Sequence, residues 1–367
     1  MNSPLLEPYR GPALHLPNRT AMAAMTRARA DDATGVPTPL MAEYYAQRAT
    51  AGLIVSEGIW PHRLGKGGPG VPGLTEQAHV EGWRRVTRAV HDAGGRVFAQ
   101  LWHVGRVSHP DILGGEQPVA PSAVAVSPGH GQIYTASGPQ DYVVPRALTT
   151  AEVTETVEAH ASAARNAIDA GFDGVEISGA YGYLLAQFLS DNANLRTDGY
   201  GDHVRFVIEV VEAVAAAIGA DRTALRVSPG NPLLDTVETD PASRYHRLLD
   251  ALNGRDLAYL HVVQSGKYAA LEDLRPRWNG TLVATYDGPE PGSREQAEQA
   301  LRAGLADVYS FGRLFLANPD LPRRIADDAP LNPQRASGMY GGGGEGYVDY
   351  PVLAGSSAGH APGSDIR

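Results

Sequence analysis

The sequence predicts an α/β protein built as a single (β/α)8 barrel with a long excursion after its third strand. Eight short apolar, β-branched runs recur along the 367 residues, segments of helical period lie between them, and one long stretch has no period at all. The first run is "RTAMAAM" (19–25), followed by the helical "PLMAEYYAQRATA"; the second is "GLIVSEG" (52–58), followed by "EQAHVEGWRRVTRAVHDAGG". "RVFAQLW" (96–102) comes third, and after it residues 103–147, rich in Gly, Pro and Ser, read as a capping excursion rather than a linker. The helix "TAEVTETVEAHASAARNAIDAG" then leads to a fourth strand, "GVEISG" (174–179), with "YLLAQFLSD" and "VRFVIEVVEAVAAAIG" behind it. "ALRVSP" (224–229), "LAYLHVV" (257–263), "TLVATY" (281–286) and "DVYSFG" (307–312) complete the set, with "PASRYHRLLDALNG", "SREQAEQALRAG" and "DLPRRIADDA" as the remaining helices. Helix punctuation agrees with this division. Thr149 with Glu152 and Ser293 with Gln296 have capping-box spacing, Asp240–Pro241 suits an N-cap and first turn, and glycines close helices near 95, 171, 254 and 304.

The barrel takes up residues 1–353 as one domain, and 354–367 read as a flexible tail, as does Gly341–Gly344. No run of about 18 apolar residues could span a bilayer. The N-terminus has no basic segment leading into an apolar one, so a cytoplasmic location is expected. Zero cysteines exclude disulfides, thiolate metal sites and cysteine nucleophiles together, so redox chemistry needs a bound cofactor. A net charge of −10, with basic pairs no longer than Arg84–Arg85 and Arg323–Arg324, argues against nucleic acid or an anionic membrane and for a small-molecule partner. Homo-oligomerisation is left open.

Two literal G-x-G-x-x-G matches occur, at Gly65, Gly67, Gly70 and at Gly341, Gly343, Gly346. Neither joins a strand to a helix, so neither reads as a dinucleotide loop. His103 and His109 have no carboxylate at metal-ligand spacing, and no metal site is expected.

In such barrels the chemistry sits at the C-terminal ends of the strands. Those ends read "AAMTR" (23–27), "SEG" (56–58), "AQLWHVGR" (99–106), "SGAYGY" (178–183), "LRVSP" (225–229) and "SFGRLFLANPDLP" (310–322). In this order, and with "PLMAEYYAQRA", "LWHVGRVSHP", "AGFDGVE", "GYLLAQFLSD", "LAYLHVV" and "EGYVDYP" around them, the chain resembles the Old Yellow Enzyme family of FMN-dependent ene-reductases from about Asn18 to Tyr350. The resemblance implies a TIM barrel that binds FMN, takes electrons from NADPH or NADH, and reduces an activated C=C bond. It assigns the flavin to Ala24, Thr26, Gly58, Gln100, Arg226, Thr285, Gly312 and Arg313. Gly312 and Arg313 would meet the phosphate, Gln100 the pyrimidine edge, Arg226 the N1/O2 side and Thr26 the O4 oxygen. Tyr183 matches the proton donor, a sensible role for a phenol facing a developing enolate. Trp102 and Tyr340 would line the substrate side.

The chain departs from the family in the same places. Alanine stands at Ala24 where proline is common, and "ATYDGPEPGS" replaces a Gly-Gly or Asn-Asp pair after the seventh strand. The family's histidine and its histidine or asparagine, which hold the substrate carbonyl, are here Ser178 and Tyr181, and the "ENRAR" segment after "RTDGYG" is missing. Preorganised donors of that kind are worth roughly 3 kcal/mol each. The expectation is therefore an FMN-dependent reductase with a rebuilt substrate site, suited to a specialised, natural-product-like molecule. A redox-neutral isomerase, cyclase or desaturase on the same scaffold, and a non-catalytic flavin-binding module, are the alternatives.

Overall fold

The computed structural model describes residues 3–287 and 292–354. Its eight central strands are β1 (Thr20–Met22), β2 (Leu53–Ile59), β3 (Val97–Leu101), β4 (Gly174–Gly179), β5 (Thr223–Val227), β6 (Tyr259–Gln264), β7 (Leu282–Tyr286) and β8 (Val308–Phe311). All neighbours pair in parallel, and β8 closes on β1 through Tyr309–Thr20 and Phe311–Met22. Each expected strand is present. They are buried along almost their whole length, which is why they read as unbroken apolar runs rather than alternating ones.

Outside the barrel run α1 (Pro39–Ala46), α2 (Gln77–Asp92), α3 (Thr150–Asp169), α4 (Leu184–Leu189), α5 (Arg205–Ile218), α6 (Pro241–Leu252), α7 (Ala270–Leu274), α8 (Arg294–Arg302), α9 (Arg313–Ala317) and α10 (Leu321–Ala326). Both capping boxes form, and the Asp240 side chain accepts from the Ser243 N–H. The sequence reading misses α7 and α9, each too short for a period to register, and carries α1 too far: it stops at Ala46, after which residues 47–50 form turns. The excursion is not irregular throughout. Ile133–Thr135 and Gly138–Gln140 make an antiparallel hairpin, and Val119–Ala120 pairs with Arg146–Ala147.

The glycine-rich segment 338–346, of which Gly341–Gly344 is expected to be flexible, is tied down. Arg27 donates from Nε to the Met339 carbonyl at 2.9 Å and from a terminal nitrogen to Gly346 O at 2.7 Å. Arg29 reaches Gly343 O at 3.1 Å and Gly338 O at 2.8 Å, and its guanidinium lies 4.2 Å from the Tyr347 ring centre. Glycine serves here because positive φ is required at 338, 341, 342 and 346. The other glycine motif is also packing: a Cβ on Gly67 would come within 2.6 Å of Val104 and 2.8 Å of Trp102. The expected tail, 354–367, lies outside the described residues apart from Ala354.

Behind β3 two histidines are buried in neutral form. His160 Nδ1–H donates to Thr156 O at 2.8 Å, and Nδ1 of His103 accepts from the Gly105 N–H at 3.1 Å. Burial pushes His160 down to about 4 and His103 well below its ordinary value. The unfolded chain takes up these protons near pH 6.5, so stability is full above that pH and is lost as pH falls toward 4. For His160 alone the loss is about 3 kcal/mol. Urea midpoints at pH 7.5 and pH 5 measure this, and His160→Gln is expected to flatten the difference.

Candidate active site

The C-terminal ends of the strands surround a cavity of about 270 Å³. Ala24, Arg226, Thr285, Gly312 and Arg313 line it, together with Tyr181, Asp287 and Ser310. Five of the eight expected flavin residues thus meet in one space. Arg226 reaches it from β5, where it pairs in register with Ser178 of β4. Its Nε is buried without a partner, and Arg313 forms no hydrogen bond or ion pair among the described residues. Two cations with unspent donors suit an anionic, planar ligand. The Thr285 hydroxyl is already engaged, 2.8 Å from His261 Nε2 and 3.2 Å from Ser310 O.

The remaining three do not line the cavity. Gln100 lies within β3, next to Gly58 of β2 across a register shift between Val55 and Gly58. Gly58 is there because a Cβ would meet Trp102 at 2.4 Å. Thr26 is half-buried, directly after the lining residues 23–25.

Tyr183 caps the N-terminus of α4 and meets Trp102 edge-on, ring centres 4.8 Å apart at 88°. Burial, then the neighbouring phenols of Tyr142, Tyr340 and Tyr181, push its pKa well up, so it stays protonated across the working range. Tyr340 stands at the rim, 67% exposed. Ser178 is 4% exposed, and its hydroxyl makes no hydrogen bond among the described residues.

Tyr181, expected on the substrate side, lines the cavity beside Arg226. It lies against the cation, its ring centre 5.1 Å from the Arg226 guanidinium carbon and its hydroxyl 3.4 Å from a terminal nitrogen, and so faces the Arg226 cavity. Its φ of +57° is left-handed, a conformation that asparagine adopts readily and that costs tyrosine roughly 1 kcal/mol to hold. The Tyr181 N–H donates to Ser228 Oγ at 2.8 Å, and Gly182 at φ +76° completes the turn.

Three contributors escape sequence reasoning. Gln187 on α4 is fully buried; its Nε2 donates to Val104 O at 3.0 Å and Gly182 O at 2.9 Å, and its Oε1 accepts from the Arg106 N–H at 3.1 Å. It staples the segment after β3 to the Tyr183 turn, and a lone amide in "LLAQFL" was the signal. Gln187→Leu leaves three buried polar groups unpaired and is expected to cost about 2–4 kcal/mol. An unchanged denaturation midpoint would contradict the staple. Glu176, a carboxylate on a buried strand whose one other polar side chain is Ser178, gave a similar signal. Tyr142, which packs from the excursion into the Trp102 and Tyr183 cluster, gave none.

The family model of the NADH:flavin oxidoreductase / NADH oxidase family matches residues 4–332. The chain belongs to that family. Among curated proteins it is 42% identical to 12-oxophytodienoate reductase 7 of Oryza sativa subsp. japonica, over 96% of this chain and 95% of that one. It is 40% identical to the flavin oxidoreductase hxnT of Emericella nidulans, over 95% and 97%. Among solved structures, the old yellow enzyme homologue from Zymomonas mobilis superposes with a TM-score of 0.90 at 41% identity, covering 95% of this chain and 99% of that one. Morphinone reductase in complex with tetrahydroNAD gives 0.90 at 40%, covering 96% and 99%. The protein is thus an FMN-dependent NAD(P)H oxidoreductase on a TIM barrel, and the residues at the strand ends fit that cofactor. Among the described residues no cluster of histidine and carboxylate side chains could hold a metal, and no helix is long and apolar enough to cross a membrane.

Proposed function

We propose that the enzyme reduces an activated C=C bond with Tyr183 as the proton donor. The supporting observation is the Tyr183 phenol, held edge-on by Trp102 and kept protonated by burial beside the Arg226 cavity. FMN, when bound and reduced by NADPH or NADH, would supply hydride chemistry here. Arg226 and Arg313 would hold it, and the partnerless Arg226 Nε would place a cation against its negative charge. Tyr183 delivers its proton to the α-carbon. Trp102, Tyr142 and Leu234 exclude water around that phenol.

The substrate's carbonyl oxygen no longer meets two N–H donors. Ser178 supplies a short, unengaged hydroxyl, while the Tyr181 hydroxyl leans toward Arg226. A substrate that fits this site brings its own anion-stabilising group and enough apolar surface to fill the Trp102, Tyr142 and Leu234 wall, as a specialised natural product would. The same loss favours, as a second reading, a redox-neutral isomerisation. We place the enzyme in the cytoplasm, with small molecules as its partners.

Anaerobic stopped-flow absorbance tests the proposal: NADPH is added, then a panel of enones, while the flavin band is followed. Bleaching followed by recovery supports alkene reduction. Bleaching without recovery for any activated alkene refutes it, and product formation without net NAD(P)H consumption selects the second reading.

A further inference from the structure

Below the cavity lies a chain of polar groups that the proposed reaction does not use. Glu176 sits at the middle of β4, completely buried, and its two oxygens accept three hydrogen bonds. Gln100 Nε2 donates at 2.7 Å, the Tyr259 hydroxyl at 3.1 Å and His261 Nδ1–H at 2.8 Å. His261 passes the chain on to Thr285, on the cavity wall. A buried carboxylate is costly unless paired, and here His261 and Arg226 offset its burial.

Two consequences follow from donor chemistry. An ionised carboxylate only accepts, so the group that Gln100 turns toward it must be the NH2, and its Oε1 has no hydrogen bond among the described residues. Secondly, burial drives His261 toward its neutral form, so the charges of this layer are Glu176 and Arg226, and they oppose each other. Arg226 alone would favour the reduced, anionic flavin more strongly.

We propose that Glu176 is a positioning residue for the flavin site: it fixes the Gln100 amide and, through His261, the Thr285 hydroxyl on the cavity wall, and by opposing Arg226 it holds the reduction potential down. The inference rests on the FMN reading of the cavity.

Glu176→Gln keeps the shape, removes the charge and lets the Gln100 amide sit either way round. In the holoenzyme its flavin midpoint potential, measured by dye equilibration, is expected to rise by at least a tenfold change in the reduction equilibrium, about 30 mV for two electrons. FMN affinity, read from fluorescence on titrating the apoprotein, is expected to fall about tenfold. Tyr259→Phe, which removes one donor and leaves the charge less shielded, is expected to lower the potential, and it decides the matter if Glu176→Gln does not fold. Glu238→Gln, a carboxylate held by the Gly230 N–H and the Tyr245 hydroxyl, serves as control and should leave the potential unmoved. Unmoved potentials in both test variants, or equal shifts in the control, overturn the proposal. A wild-type chain that shows no flavin spectrum after FMN is added overturns the FMN reading instead, and this inference with it.

Discussion

Replacing Tyr183 by phenylalanine is expected to slow alkene reduction by about 10²–10⁴-fold, the usual worth of a positioned acid, while flavin binding and its reduction by nicotinamide stay near wild type. The separation follows from placement. Tyr183 packs in the cluster of Trp102, Tyr142 and Leu234 beside the Arg226 cavity and is not itself one of its lining residues, so removing one oxygen leaves that lining unchanged. Phenylalanine keeps the edge-on contact with Trp102 and leaves no buried donor behind. The two half-reactions, monitored separately, distinguish the outcomes. A slow oxidative half with a normal reductive half identifies the phenol as the acid, and two normal halves would remove Tyr183 from the mechanism.

Ser178→His combined with Tyr181→Asn is expected to act in the opposite direction. The pair restores two N–H donors where the chain has one short hydroxyl and one phenol turned toward Arg226. At roughly 3 kcal/mol per donor, and allowing for imperfect geometry, simple enones should gain about 10²-fold in kcat/KM. The double variant should also be slightly more stable, because asparagine accepts the left-handed backbone at 181 more readily than tyrosine does. No gain in kcat/KM would mean that the native substrate does not present a carbonyl oxygen at this position.

The barrel could be read from the sequence because fully buried parallel strands leave unbroken apolar runs, and because Thr149, Ser293 and Asp240 mark where helices begin. The strand-end residues could be read because the barrel places them in one layer whatever their side chains do. What depends on side-chain direction could not. Nothing in "SGAYGY" says that Tyr181 turns toward Arg226, since that follows from a left-handed turn and a guanidinium 45 positions away. Tyr142 lies in a segment with no period. Gln187 and Glu176 were visible only as polar residues out of place, and their partners come from separate strands and loops.

The arginine ties to the glycine segment bear on when the pocket can exist at all. Arg27, one residue beyond Thr26, is fully buried, and its guanidinium is satisfied by carbonyls that arrive 311 to 319 positions later. During synthesis most of the barrel emerges first, with that guanidinium and Arg29 lacking these acceptors. The segment bearing Tyr340 and the loop bearing Thr26 therefore lock together in a single late step. Until residue 346 has left the ribosome, these ties cannot all be made.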